Sequence, residues 1–280
     1  MKYVAFIDIL GFKERVKNST QEQAGKLVSE FSQLVYSEWG KFGNNNDSTL
    51  SGSLISDCVI VHTSSCSPEA LRRLLEFLVN LFQKSAFENT FLLRAAIAKG
   101  QFDKLPSFSY ENLNKNLIVG QAYIDAYLLE SLFKGSIIAF GKDICEDIDE
   151  IDNFPHKISP VTQKCNSVPA QNQSYYNLRW AKLSDMLTDS HLDHFVSLGI
   201  EGKWLSHYYQ TLYMFMIDAT NEEKSDFFEK IWRCINKMDN SYKNHADLFI
   251  RNAFCESVEM NMQKYVSRFI REKINISISK

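Results

Sequence analysis

The first hundred residues change hydrophobic period in a fixed order, and that order restricts the folds open to this chain more than any other feature. Tyr3-Val4-Ala5-Phe6-Ile7-Asp8-Ile9-Leu10 is a β-rich apolar run closed by Gly11. Ala24, Leu27, Val28, Phe31, Leu34 and Val35 then recur at spacings of three and four, which is one apolar stripe along a helix. After the polar breaker Gly43-Asn44-Asn45-Asn46-Asp47, two short β-rich runs meet at Ser56-Asp57 and read as a hairpin. Ser67-Pro68-Glu69 supplies a cap residue and a proline at the first helical position, and Leu71, Leu74, Leu75, Leu78 and Phe82 form a second stripe. Phe91 to Ala98 reads as a fourth strand, closed by Lys99-Gly100. The order βαββαβ is that of a ferredoxin-like sheet, so the predicted class is α+β.

Two acids stand out against this pattern. Asp8 interrupts the apolar first strand, and Asp57 sits at the tip of the hairpin Leu54-Ile55-Ser56-Asp57-Cys58-Val59-Ile60-Val61. In a βαββαβ sheet the end of the first strand and the hairpin turn lie side by side, so the two carboxylates can meet although far apart in sequence. Taken singly, Asp8 reads as a helix cap and Asp57 as an ordinary turn residue. Taken together they favour a shared metal site, because carboxylates among apolar neighbours need a compensating cation. Gly11 and Phe12 would then offer backbone N–H groups at a helix start, a site for phosphate oxygens, with Lys13 either reaching the same anion or standing in solvent.

Beyond the fourth strand, Leu117-Ile118-Val119-Gly120 leads into a helix carrying Ala122, Ala126, Leu129 and Phe133, and Ser136 to Phe140 is a further strand. The expected divisions are a core over 1–143, a loop-rich linker over 144–184 with three of the five prolines, and a helical C-terminal region over 185–280. A formal charge of −3 with scattered lysines and arginines gives no footprint for duplex nucleic acid. The six cysteines hold no CxxC pair, and the chain opens on a strand pattern and not a signal peptide, so a reduced, cytoplasmic protein is expected. No apolar run approaches the roughly 20 residues that span a bilayer, and a membrane role would have to come through a partner. His191 and His194 have a metal-compatible spacing but no further ligand nearby, and Tyr208, Tyr209, Tyr213 and Phe215 read as packing surface.

The runs Phe6-Ile7-Asp8-Ile9-Leu10-Gly11-Phe12, Ile55-Ser56-Asp57, Arg94 to Gly100, and Val119-Gly120-Gln121-Ala122 through Leu129-Glu130 resemble, in order and rough spacing, the successive motifs of class III nucleotide cyclases. The resemblance covers about residues 3–140. It leaves the C-terminal half, which its pattern makes a helical appendage, unexplained, and it implies a cyclase-type core with added strands, two Mg²⁺ or Mn²⁺ ions per site, metal contacts by Asp8, Ile9 and Asp57, and catalysis centred on Asp8 and Asp57. Triphosphate binding is implied for the turn Ile9, Leu10, Gly11 and Phe12, with Lys13 and Lys99 as candidate substrate contacts, and Arg94 matches an arginine of that strand whose role is support and not chemistry. It also implies a homodimer with sites between protomers.

Where purine-specific members of that family carry base-reading and transition-state residues, this chain has Ser53, Leu117, Ile124 and Leu128. The absences point toward CTP or UTP as substrate. In that respect the chain resembles the bacterial pyrimidine cyclases of Pycsar anti-phage systems, whose cyclic nucleotide product activates a separate effector. Lys99, Arg72 and Arg73 are candidates for the missing cation, the last two reading more naturally as a solvated helix face. The alternatives are a catalytically silent nucleotide-binding or dimerisation module, and a palm-type nucleotidyltransferase, which the Ile-Ser-Asp-Cys hairpin disfavours.

Overall fold

The computed structural model describes residues 1–42, 48–89, 91–105, 117–133, 135–161, 174–186, 188, 190–194 and scattered positions between 207 and 233. The chain divides into two compact units, Met1–Trp180 and Ala181–Lys280.

In the first unit β1 (Lys2–Ile9) passes through Gly11 into α1 (Phe12–Lys17) and α2 (Gln21–Phe42). The hairpin β2 (Leu50–Ile55) and β3 (Cys58–Thr63) follows, then α3 (Pro68–Glu88) and β4 (Leu93–Gly100). A short antiparallel pair, β5 (Asp103–Leu105) and β6 (Leu117–Val119), precedes α4 (Gln121–Glu130), β7 (Ile138–Gly141), α5 (Lys142–Asp149), β8 (Ile158–Val161) and β9 (Tyr175–Leu178). The main sheet has seven strands in the order β2-β3-β1-β4-β7-β9-β8. Its first four strands are antiparallel throughout and reproduce the expected ferredoxin-like arrangement, with β1 in the middle, opposing Asp8 to Cys58 on one side and to Arg94 on the other.

Local chemistry sets the helix ends. Thr20 and Gln23 exchange backbone and side-chain hydrogen bonds at the start of α2, a reciprocal cap. Ser67 Oγ accepts from the Ala70 N–H at the start of α3, with Pro68 at the first helical position. The leucines of α3 are almost wholly excluded from solvent. Truncating one such side chain to alanine generally costs about 2–5 kcal/mol. At the buried end of α2, Glu38 is held by Lys84 and Lys41 at 2.8 and 2.9 Å.

Because side chains alternate along a strand, the sheet has two faces of different character. Val4, Phe6, Ile60 and Ala98 pack with Phe102, Ala122 and Ala126 under α4. Asp8 and Arg94 share that face by their even spacing from Phe6 and Ala98. Tyr3 and Lys99 lie on the opposite face, where both contact Asp147 of α5.

Three expectations change. A short helix, α1, precedes the long one, because Gly11 in the left-handed region (φ 76°) turns the chain before the apolar stripe begins. Within 144–184, expected as a loop-rich linker, the described residues include α5, into which the acidic stretch folds by burying Ile144 and Ile148, and β8 and β9, which extend the sheet. The compact core accordingly runs to Trp180, past the expected boundary at 143. In the second unit α6 (Leu183–Met186) and a cap formed by Thr220 and Glu223 are described, whereas most of 185–280, including Tyr208, Tyr209 and Tyr213, lies outside the described residues.

The seat of α4 depends on Gly120, with φ 151° and no room for a Cβ, which would stand 2.2 Å from the Gln101 carbonyl oxygen and 2.6 Å from Phe102 Cα. Gly120→Ala is expected to lower stability by roughly 2 kcal/mol or more, from backbone strain and overpacking together. A shift of the urea midpoint at constant slope is the measurement.

Candidate active site

Asp8 sits on the central strand, one residue before the chain leaves the sheet, and its side chain is 21% exposed. The hairpin turn is anchored beside it. The Ile9 N–H donates to the Asp57 carbonyl at 3.2 Å, which extends the β1–β3 ladder into the turn, and Ser56 takes the positive φ (57°) that the tight reversal demands. Asp57 is thereby brought within hydrogen-bonding reach of the Asp8 carboxyl. The juxtaposition expected from sequence is present.

Two further charged groups complete the cluster. Arg94, opposite Asp8 on β4, places Nη2 3.5 Å from Asp8 Oδ2 and makes a close ion pair through Nε with Glu130 at the end of α4. The Glu130 side chain is only 5% exposed. Burial, then the charges of Glu130 and Asp57, push the Asp8 carboxyl up to about 7, against the opposing pull of Arg94. Cys58, whose thiol donates to the Ile55 carbonyl at 3.2 Å, feels the same field: burial followed by Asp57, Asp8 and Glu130 raises it to about 11. Burial also raises Glu130, outweighing Arg94.

The turn after β1 is only partly open to a ligand. The Ile9 and Leu10 N–H groups are committed to the Asp57 and Leu92 carbonyls, so neither donates to a bound anion. The N–H groups of Gly11, Phe12 and Lys13 have no protein acceptor among the described residues, while that of Arg15 closes the first helical bond onto Gly11. The Lys13 side chain is exposed. Ile9 buries its side chain and brings only backbone to this end of the sheet.

The structure does not bring Lys99 to the acids. It points to the other face, about 16 Å along β4 from Arg94 at the usual strand rise, and is held by Asp147 at 2.7 Å and against the Tyr3 ring. Arg72 and Arg73 on α3 contact the Asp152 carbonyl and Glu69 respectively. Ser53, near the hairpin, accepts from Lys104 Nζ at 3.4 Å, and Ile124 and Leu128 are exposed on α4. Glu130, which sequence reasoning quoted without assigning it a role, is the member of the cluster it missed. Its partner Arg94 is 36 positions away and meets it only when α4 lies across the sheet.

Among the described residues no group of three or more His, Cys, Asp or Glu side chains is disposed to hold a metal ion. The two carboxylates nevertheless suit Mg²⁺ or Mn²⁺, since Mg²⁺ is commonly held by one or two protein carboxylates, with water and substrate phosphate completing the shell. The raised proton affinity of Asp8, from burial and then from the charges of Glu130 and Asp57, is a cost that a divalent ion beside it would offset.

Comparisons with protein families and with curated proteins find no match. Solved structures similar to this chain include the catalytic core of a rhodopsin-guanylyl cyclase with converted specificity in complex with ATPαS, with 15% identity, TM-score 0.49, and coverage of 64% of this chain and 95% of that one. The guanylate cyclase domain of RhGC from Catenaria anguillulae in complex with GTP gives 14%, 0.48, 64% and 95%. The adenylyl cyclase CyaB from P. aeruginosa gives 16%, 0.47, 64% and 93%.

A carboxyl whose folded value is about 7 against an ordinary 3.8 binds its proton more tightly in the folded chain. It therefore stabilises the fold fully below the ordinary value and loses that contribution as pH rises toward and through 7. In the presence of a chelator the protein is expected to lose stability between about pH 4 and pH 7, and Asp8→Asn to flatten that loss and unfold at a higher temperature than the parent at pH 8. Thermal unfolding at a series of pH values checks this.

Proposed function

We propose that the chain is a nucleotidyl cyclase that converts a pyrimidine nucleoside triphosphate to its 3′,5′-cyclic monophosphate and pyrophosphate. The observation that carries the reading is the convergence of Asp8 and Asp57 at the end of the central strand, beside a turn with free N–H donors. Asp8 and Asp57 would hold the divalent ions. The chemistry that Mg²⁺ or Mn²⁺ supplies when bound is neutralisation of the triphosphate and acidification of the ribose 3′-hydroxyl. The N–H groups of Gly11, Phe12 and Lys13 donate to phosphate oxygens at the start of α1, and Arg94 adds positive charge beside Asp8. Positioning and charge neutralisation by these groups lower the barrier to attack on the α-phosphorus.

Support for a pyrimidine comes from the short Ser53 and the apolar Leu117 at the positions where purine readers would stand. A cyclic CMP or cyclic UMP signal in anti-phage defence, read by a separate effector, follows from the same resemblance. A second reading, a silent nucleotide-binding module, is favoured by the apolar, exposed Ile124 and Leu128, which stand where transition-state groups would act.

Incubating the protein with each of the four nucleoside triphosphates and Mn²⁺ decides between these readings. We expect cyclic CMP or cyclic UMP from the parent. The loss in Asp8→Ala and Asp57→Ala should exceed the roughly 100-fold that removing even an outer-shell metal partner costs. A cyclic purine would retain the chemistry and overturn the base assignment. Nucleotide binding without turnover would establish the silent module.

We propose the exposed side of α4 as the surface for a second copy of the chain. Ile124 and Leu128 are each about half exposed, as is Tyr127, whose ring edge also meets Phe6 of β1, and Leu117, Val119 and Leu132 are further exposed apolar side chains. Isologous pairing of identical apolar faces is the commonest solution for such a surface. The parent should sediment at twice the mass of the chain, and Leu128→Glu at the mass of one.

A further inference from the structure

We infer that Glu130 is a positioning residue: from the end of α4 it holds the Arg94 guanidinium partly off Asp8, so that Asp8 stays available to a divalent cation. This inference rests on the assignment of Asp8 and Asp57 as metal ligands proposed above. Arg94 is the direct cross-strand neighbour of Asp8, at the separation where opposite charges pair readily. A guanidinium fork in that place, left to itself, closes on the carboxylate through two short, parallel hydrogen bonds.

The observed arrangement differs. The nearest approach to Asp8 is by Nη2, at 3.5 Å, well beyond the roughly 2.7–2.9 Å of a charge-assisted bond, while Nε lies in close ion-pair contact with Glu130 Oε1 without the alignment of a hydrogen bond. Glu130 is the more buried of the two acids, 5% against 21% exposed, so it has less water to fall back on and competes harder for the cation. The result is an arginine that stands beside Asp8 without saturating it. Without Glu130 the fork is free to close on Asp8 and occupy the oxygens that a metal would use.

The test is the affinity of the full-length protein for Mn²⁺, measured by calorimetry without nucleotide, for the parent, Glu130→Gln, Glu130→Asp, Arg94→Gln and the double variant Arg94→Gln/Glu130→Gln. Glu130→Gln is expected to weaken Mn²⁺ binding about tenfold, the scale for loss of an outer-shell partner. Glu130→Asp, which keeps the charge but shortens the reach, should weaken it comparably. Arg94→Gln should bind at least as tightly as the parent, and in that background Glu130→Gln should have little further effect. Glu130→Asp keeps a charge partner for Arg94 and carries the test should the glutamine variant fail to fold.

Parent-like binding by Glu130→Asp, or an equal loss from Glu130→Gln in both backgrounds, would mean that Glu130 acts only by its charge and would overturn the inference while leaving the metal reading intact. A parent that binds no Mn²⁺, or whose binding survives both Asp8→Ala and Asp57→Ala, overturns the metal reading and this inference with it.

Discussion

A carboxylate on the central strand of a sheet, flanked by two other acids and one arginine, sets the terms for this end of the molecule. Asp8, Asp57 and Glu130 carry three negative charges if all ionise, and Arg94 returns one positive charge, which leaves two uncompensated. Unit charges about 4 Å apart at an effective dielectric of about 20 interact by roughly 4 kcal/mol, comparable with a large fraction of a domain's net stability. Such a cluster does not stay fully ionised unaided. Either a proton remains on Asp8, consistent with its raised affinity, or a divalent cation takes its place. On the proposed reading, the geometry that brings the acids together serves a divalent cation and a triphosphate.

The remainder of the first unit keeps those groups in register. β1 is hydrogen-bonded on both sides, so Asp8 has no freedom to leave the cluster, and the Ile9 to Asp57 bond ties the hairpin turn to the same strand end. On the opposite face Lys99, Asp147 and the Tyr3 hydroxyl lock α5 against the sheet. Lys99 thus serves packing, not the acids. Gly120 lets α4 lie close to the chain at Gln101 and Phe102, and it is this seat that delivers Glu130 to Arg94. One backbone position that tolerates no side chain and one buried ion pair therefore couple the placement of α4 to the state of Asp8.

Much of the βαββαβ core was legible because its signals are local: the apolar stripes of α2 and α3, the Ser67-Pro68 start, and the β-rich runs around Ser56-Asp57. The meeting of Asp8 and Asp57 was legible from topology alone. The short α1 was not, since six residues with few apolar positions make no periodic stripe. Strands β8 and β9 were hidden for a different reason: four residues each, one containing Pro160, in a stretch dense with polar residues that looks like a loop until it is paired. The Arg94 to Glu130 pair left no sequence signature, because charges on a strand and on a helix meet only through tertiary packing. Lys99 was misleading for a related reason. Its position on β4 is close in sequence, but the odd spacing from Arg94 sends it to the other face of the sheet.

On the proposed function, the end of β1 and the Ser56-Asp57 turn form one cation and triphosphate site. The most direct measurement is the anomalous scattering of crystals grown with Mn²⁺ and a non-hydrolysable analogue of CTP. Mn²⁺ density is expected between the Asp8 and Asp57 carboxylates, with the phosphates against the N–H groups of Gly11 to Lys13. Mn²⁺ and phosphate density elsewhere, with Asp8 and Asp57 bare, would contradict it.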